Sequence, residues 1–393
     1  MKYDFDIMTD RRGKGSLKWE VAENELPMWV ADMDFQTAPP IIEALQRRVS
    51  HGVFGYSFVP DTWFQAIMDW WKHRHGLKIE KDWLVFTTGV VPAISSAVRK
   101  LTTIGENILI QTPVYNIFFN SILNNGRSAL ESPLQYDGKS YCVDFEDLER
   151  KLAEPQTTMM ILCNPHNPIG KIWDRATLAR IGELCFKYHV IVLSDEIHCD
   201  LTDPGCEYVP FASVSEQCAM NSITCIAPTK AFNLAGLQTA AVMVPNETLR
   251  RKLERGLNTD EVAEPNAFAV EATVAAFTEG DDWLDSLRAY LLENKTFATD
   301  FLSRELREVY VVPSQATYLL WLDCSGILGS TTELSRFIRQ ETGLYLSDGA
   351  VYGGNGERFL RLNIACPRKT LEDGLQRLKT AIPAYEAWLL TRC

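Results

Sequence analysis

Six short apolar runs recur through the middle of the chain, each followed by a polar break and then a helical pattern. They are WLVFTT (83–88), NILIQT (107–112), TMMILC (158–163), HVIVLS (189–194), SITCIAP (222–228) and TAAVMV (239–244). A strand with one wet face alternates apolar and polar residues, whereas an unbroken apolar run requires cover on both faces. Between the runs, ATLARIGELCFKYH puts Leu178, Ile181, Cys185 and Tyr188 on one stripe, as in an amphipathic helix. Strand, helix and strand in repetition predict a doubly wound α/β fold around a mostly parallel sheet. Gly89, Pro113, Pro165 and Pro228 stand at or just past the ends of four of the runs. Loops therefore leave the carboxyl ends of the strands, where sheets of this kind bind ligands.

The flanks read differently. Residues 1–48 lack the alternation, and from about 285 the chain gives a long helix (LDSLRAYLLENKTFATDFLSREL), two short strands (TYLLWLD, FLRLNIA) and a final helix. This pattern predicts a large ligand-binding domain over 49–284 and a smaller α+β domain built from 1–48 and 285–393.

Bulk properties remove several function classes. A net charge of −12 argues against nucleic acid, which is bound through a basic face that displaces counterions from phosphates. No apolar run approaches the roughly 20 residues needed to span a bilayer, and the first residues carry no apolar signal core. The ten cysteines form no C-x-x-C pair, and several lie in apolar runs, as buried thiols do in a reducing compartment. The expectation is a cytoplasmic protein that binds neither nucleic acid nor membrane.

Polar features follow consecutive strands. Gly89 in TTGVVPAISS opens a helix whose free N–H groups favour a phosphate, although alone it would be an ordinary strand-to-helix turn. Tyr115 in TPVYNIFF, alone, would be packing. NPHNPIGK places Asn164 and Asn167 each before a proline, and it lacks the leading Gly and trailing Ser/Thr of a P-loop. Lys230 in PTKAFNLAG stands among Ala227, Ala231, Phe232 and Leu234. Most lysines are solvated, but one held in apolar surroundings has a lowered pKa and can act as a nucleophilic amine.

The stretch VLSDEIHCD (192–200) holds acids, a histidine and a cysteine. At a strand end Asp195, Glu196 and His198 do not all point one way, and no second His/Cys cluster is evident in the sequence, so no metal is expected. His73 and His75 in KHRHG read as a solvated helix end. What fits is a carboxylate facing a cationic ring nitrogen while an amine reaches the same ring, which is what pyridoxal phosphate requires.

The order TPVY, NPHNPIGK, SDEIHCD, PTKAFNLAGLQ and RFLRLNIACPR resembles the fold-type I pyridoxal-phosphate enzymes of the class I/II aminotransferase superfamily. PMWVADMDF (27–35), HGVFGYS (51–57) and DEIH are similar to segments of the MalY/PatB-type cystathionine β-lyases within it. The resemblance implies a three-layer α/β/α large domain and pyridoxal 5′-phosphate as cofactor. It also implies a role for each matched residue. Lys230 would carry the cofactor as an internal aldimine and then move the Cα proton. Asp195 would keep the ring nitrogen protonated, Asn167 would bond the phenolic oxygen, and Tyr115 would stack on the ring. Val90, Val91 and Thr229 would hold the phosphate, with Tyr56 reaching it from a second subunit of a homodimer. Arg361 would clamp the α-carboxylate of an amino-acid substrate.

Three positions depart from the wider superfamily. His198, which the resemblance implies as a cofactor contact, stands where many members have a Tyr at the ring oxygen, Gln238 where many have a phosphate-binding Arg, and Ala227 where a hydroxyl residue is common. The reading is α,β-elimination from cystathionine or a related L-cysteine S-conjugate to a thiol, pyruvate and ammonia. An aminotransferase sharing the early steps, and a regulatory protein binding a partner on the same fold, are the alternatives.

Overall fold

A computed structural model describes residues 3–391; positions 1, 2, 392 and 393 of the ranges above lie outside it. The main sheet has seven strands: β1 (Leu84–Thr87), β2 (Asn107–Ile110), β3 (Ser128–Glu131), β4 (Thr157–Cys163), β5 (Ile191–Asp195), β6 (Ser222–Ile226) and β7 (Ala240–Met243). Their order is β1-β7-β6-β5-β4-β2-β3. Neighbours run parallel except β7, which is antiparallel to both β1 and β6. The α/β expectation therefore holds, with all six apolar runs in one sheet. Edge strand β3 was not among them: SALE has one exposed and three half-buried residues and gives no buried-strand pattern.

The helices include α1 (Pro39–His51), α2 (Asp61–His75), α3 (Val90–Leu101), α4 (Arg175–Lys187), α5 (Ala269–Glu279) and α6 (Asp281–Glu305). Both faces of the sheet are covered, which is why its strands other than edge strand β3 are mostly apolar. On β5, Leu193 joins the layer of Ile94 and Val98 from α3, and Val192 joins the opposite layer with Leu178 and Ile181 from α4. Each such fully buried aliphatic side chain stabilises the fold by about 1.5–3 kcal/mol.

A second, antiparallel sheet has the order β8-β9-β11-β10, from β8 (Tyr310–Val311), β9 (Leu319–Asp323), β10 (Ser347–Asp348) and β11 (Phe359–Asn363). Near the N-terminus, Leu26–Pro27 pairs with Leu344–Tyr345. Helix α1 runs through residue 48 and packs on α5.

Helix α2 buries Trp63, Ala66, Ile67, Trp70 and Trp71 at helical spacing and stops at Gly76, whose φ of 65° is the left-handed cap that glycine adopts without strain. Its end corrects one expectation. His73 is solvated, but the side chain of His75 is only 6% exposed and its Nε2 lies 2.9 Å from Asp200 Oδ1. Position 75 follows Trp71 by one turn on the buried face, and the two rings lie 4.8 Å apart. Trp70 Nε1 donates to the same Asp200 oxygen at 3.0 Å. A second cluster therefore does meet the SDEIHCD stretch: ligating atoms of His75, Cys199 and Asp200 fall within 4.8 Å of one another. The direct His75–Asp200 pairing accounts for that grouping.

Among the described residues no helix is long and apolar enough to cross a membrane. The nine described cysteines are free, and seven of them are buried.

Candidate active site

Parallel strands β1, β4, β5 and β6 send their carboxyl ends to one edge of the sheet, and antiparallel β7 begins there. The residues just past those ends line a cavity of about 270 Å³. Thr88, Gly89, Val90 and Val91 come from β1 and α3, Cys163 and Asn167 from β4 and its loop, Asp195, Ile197 and His198 from β5. Thr229 and Lys230 follow β6, Gln238 and Thr239 precede β7, and Tyr115 comes from the segment after β2. All the expected residues except Tyr56 and Arg361 are in this wall.

Register explains part of the gathering. Cys163 on β4 pairs with Asp195 on β5, which pairs with Cys225 on β6. Asp195 faces the cavity, while the next residue, Glu196, turns to the other side, as alternation along an extended segment demands. There Ser194, Tyr208 and the backbone N–H of Phe211 donate to Glu196. Within the acid-rich stretch Asp195 and His198 line the cavity, and Glu196 is held by buried donors behind it.

Burial pushes the Asp195 carboxyl up to about 6, against the N–H of Ile197 at 3.2 Å and the charge of Lys230, both of which favour ionisation. The Lys230 amine is pushed down to about 8, first by burial and then by Arg361, with Asp32 and Asp195 opposing. Its Nζ donates to the carbonyl of Ala31 at 2.6 Å. His198 is pushed down to about 3 by burial, with Lys230 and Arg361 adding to the effect, so its ring is neutral. Its Nδ1 is buried without a hydrogen-bond partner. Burial pushes Tyr115 up to about 12, so it keeps its proton at neutral pH.

Arg361, on β11, is 5% exposed and reaches this wall through Asn167. Its Nη1 donates to Asn167 Oδ1 at 3.1 Å and its Nη2 to the carbonyl of Trp29 at 2.8 Å. Tyr352 lies under the guanidinium at 5.0 Å. Among the described residues no carboxylate pairs with Arg361, and its Nε has no partner. A buried cation in that state is costly until an anion joins it.

The donor set fits pyridoxal phosphate. No side chain caps the N-terminus of α3, so the N–H groups of Val90 and Val91 are free to bind an anion beside the Thr229 hydroxyl. With Gln238 in the wall and no arginine there, a phosphate would rest on neutral donors. The orphaned His198 Nδ1 supplies a further polar group. Tyr56 is fully exposed and stands apart from the cavity within its own chain.

Two contributors were not read from the sequence. Ala31 enters the wall from a segment without regular structure, and Tyr318, at the start of β9, donates its hydroxyl to the Ala31 carbonyl at 3.0 Å. The only signal was the motif PMWVADMDF itself, which assigned no residue a role.

The aminotransferase class I and II family matches residues 25–378. The cystathionine beta-lyase PatB of Bacillus subtilis strain 168 is 43% identical over 96% of this chain and 100% of its own. Among solved structures, cystalysin of Treponema denticola, which contains a pyridoxal 5′-phosphate cofactor, is 31% identical with a TM-score of 0.95, covering 98% of this chain and all of its own. The PLP-bound C-S lyase of Staphylococcus hominis is 32% identical with a TM-score of 0.91, covering 97% and 98%.

Proposed function

The chain belongs to the class I and II aminotransferase family, and from that premise we propose that it is a pyridoxal-phosphate-dependent C–S β-lyase. It cleaves cystathionine or a related L-cysteine S-conjugate to a thiol, pyruvate and ammonia. The likeness to the Bacillus subtilis and Staphylococcus hominis lyases supports this reading over an aminotransferase. The observation that carries it is one cavity holding an amine of lowered pKa and a buried carboxylate, beside a buried guanidinium that lacks an anion.

When bound, pyridoxal phosphate supplies an electron sink for the bonds at the substrate Cα. The chain's own residues do the rest. Lys230 would hold the cofactor covalently, and its amine, once free, would take the Cα proton as a neutral base. Asp195 stands ready to pair with a cationic ring nitrogen, whose charge would favour the ionised carboxylate. Arg361 has already occupied Asn167 Oδ1, so the Asn167 NH₂ is the end left to donate to an oxygen of the cofactor ring. The same guanidinium offers a planar fork to the substrate carboxylate, a geometry Lys does not provide. Tyr115 would pack against the cofactor ring, and Val90, Val91 and Thr229 would hold its phosphate.

The protein is a cytoplasmic homodimer on this reading. Val53, Phe54, Tyr56 and Phe58 form an exposed apolar run beside Val49, and a second copy that covered it would bring Tyr56 to the neighbouring phosphate. Incubation with cystathionine and no keto acid tests the activity. Pyruvate and free thiol are expected, and strict dependence on a keto-acid acceptor would refute elimination.

A further inference from the structure

We propose that the Ala31 carbonyl, fixed by the Tyr318 hydroxyl, is the seat that holds the Lys230 amine whenever that amine is not bonded to the cofactor. This makes Tyr318 a positioning residue for the base. The inference rests on the reading of Lys230 given above and goes beyond it.

Lys230 ends a flexible four-carbon stem. Once displaced by the substrate amine, its nitrogen must stay close to the Cα hydrogen, because proton transfer needs hydrogen-bond reach. A neutral amine has two N–H groups and one lone pair. Donating one N–H to Ala31 O, at 2.6 Å, limits where the nitrogen can move and leaves the lone pair available. When the Cα–H bond breaks, its electron pair stays with the substrate and the proton goes to that lone pair. The ammonium so formed still donates to Ala31 O. One acceptor therefore serves the base before and after transfer.

The carbonyl itself is held from several directions. Tyr318 OH donates to it at 3.0 Å from a side chain that is 1% exposed. On either side, Arg361 Nη2 takes Trp29 O at 2.8 Å, and Asn363 Nδ2 takes Val30 O at 2.6 Å and Asp32 O at 2.7 Å. Ala31 is therefore the centre of a non-helical segment whose consecutive carbonyls are each fastened by a side chain.

A second, independent feature lies just before Tyr318. Thr317 has a φ of 69°, a conformation that a β-branched residue rarely takes. It is kept there by its N–H to Leu201 O at 2.7 Å and by Leu319 N–H to its own Oγ1 at 3.2 Å. Backbone strain of this kind persists where the surroundings over-determine it, often at functional sites. Here it lies at the entry to β9, beside the residue whose hydroxyl meets the lysine's acceptor.

The first test is a crystal structure of the holoenzyme with L-alanine, an amino acid with no β leaving group. Lys230 Nζ is expected within about 3.2 Å of Ala31 O; Nζ bonded elsewhere overturns the seat. The second is Tyr318→Phe, which keeps the ring and removes the donor. We expect kcat to fall about tenfold or more with KM within about twofold, and the kinetic isotope effect with α-deuterated cystathionine to rise as proton transfer becomes slower. Unchanged kcat and isotope effect refute the positioning role, and should the variant not fold, the crystal structure alone decides. Lys230→Ala separates this inference from its premise. If that variant keeps the cofactor's visible band, the reading of Lys230 falls and the seat with it. If the band is lost while Nζ sits elsewhere in the alanine complex, only the seat falls.

Discussion

Arg361 Nη1 donates to Asn167 Oδ1 at 3.1 Å, linking β11 to the loop after β4 across 194 positions of the chain. The proposed carboxylate clamp and the proposed contact to the cofactor's ring oxygen are thus one hydrogen-bonded unit. Lys at 361 keeps the charge but loses the fork and the bond to Asn167. Arg361→Lys is expected to lower kcat/KM by roughly 30- to 1,000-fold, the range for losing charge-assisted hydrogen bonds worth about 2–4 kcal/mol. Steady-state kinetics check it. A substrate without the α-carboxylate should show a far smaller difference between parent and variant.

As the proposed partner of the cofactor's ring nitrogen, Asp195 would trade stability for cofactor binding. Its carboxyl stands at about 6 against an ordinary 3.8, so between those values the folded chain binds more protons than the unfolded one. Stability of the cofactor-free protein therefore falls as pH rises through this window, by up to about 3 kcal/mol. Asp195→Asn removes the ionisable group. It should be more stable than the parent at pH 8 without cofactor, with a smaller gap at pH 4 by urea unfolding, while binding the cofactor more weakly. Cofactor affinity of the parent should also drop as pH falls below about 6.

If Lys230 is the amine that attacks the cofactor aldehyde, it sets the pH dependence of cofactor uptake. Only the neutral amine attacks an aldehyde, and burial has lowered this amine from 10.5 to about 8. The uptake rate of cofactor-free protein should rise about tenfold per unit of pH below 8 and level off above it. Stopped-flow absorbance gives the profile. An inflection near 10 would mean that the site does not tune the amine.

His75 and Asp200 form a buried pair outside the cavity wall. Burial works against the Asp200 carboxylate, but His75 and Trp70 outweigh it and hold its pKa below the ordinary value. Stability from this pair is present above the unfolded carboxylate range and is lost as pH falls through the lowered value. His75→Ala leaves a buried carboxylate with Trp70 Nε1 but one donor fewer and should cost about 1–3 kcal/mol near neutrality. Denaturant melts of parent and variant should converge in acid, where Asp200 is protonated in both.

The sheet was legible because its strands are covered twice: Val192 and Leu193 face opposite apolar layers, so the run IVL reads as buried without reference to its neighbours. Lys230, Asp195 and Asn167 were legible for a related reason, since each follows such a run within a few residues. Edge strand β3 gave no such pattern, because exposed residues carry no burial signal. Residues 28–35 were opaque because their backbone is satisfied by side chains from Arg11, Asn233, Tyr318, Arg361 and Asn363, far away in the chain. Neither periodicity nor turn chemistry encodes contacts of that kind. His75 failed similarly: a helix-end KHRH looks solvated until Asp200 is found beneath it.

Tyr56 is completely exposed in the single chain, among Val53, Phe54 and Phe58. If the homodimer brings it to the neighbouring cavity, Tyr56→Ala and Lys230→Ala damage different halves of one site. A mixed dimer then holds one site with an intact Lys230 from the first chain and an intact Tyr56 from the second. Its other site lacks both. Random reassociation of the two variants makes half the dimers mixed, so activity should recover to about a quarter of the parent's. Mixing after mild dissociation, followed by pyruvate assay, measures this. Recovery no greater than the sum of the separate variants would place Tyr56 in its own subunit's chemistry or outside the site.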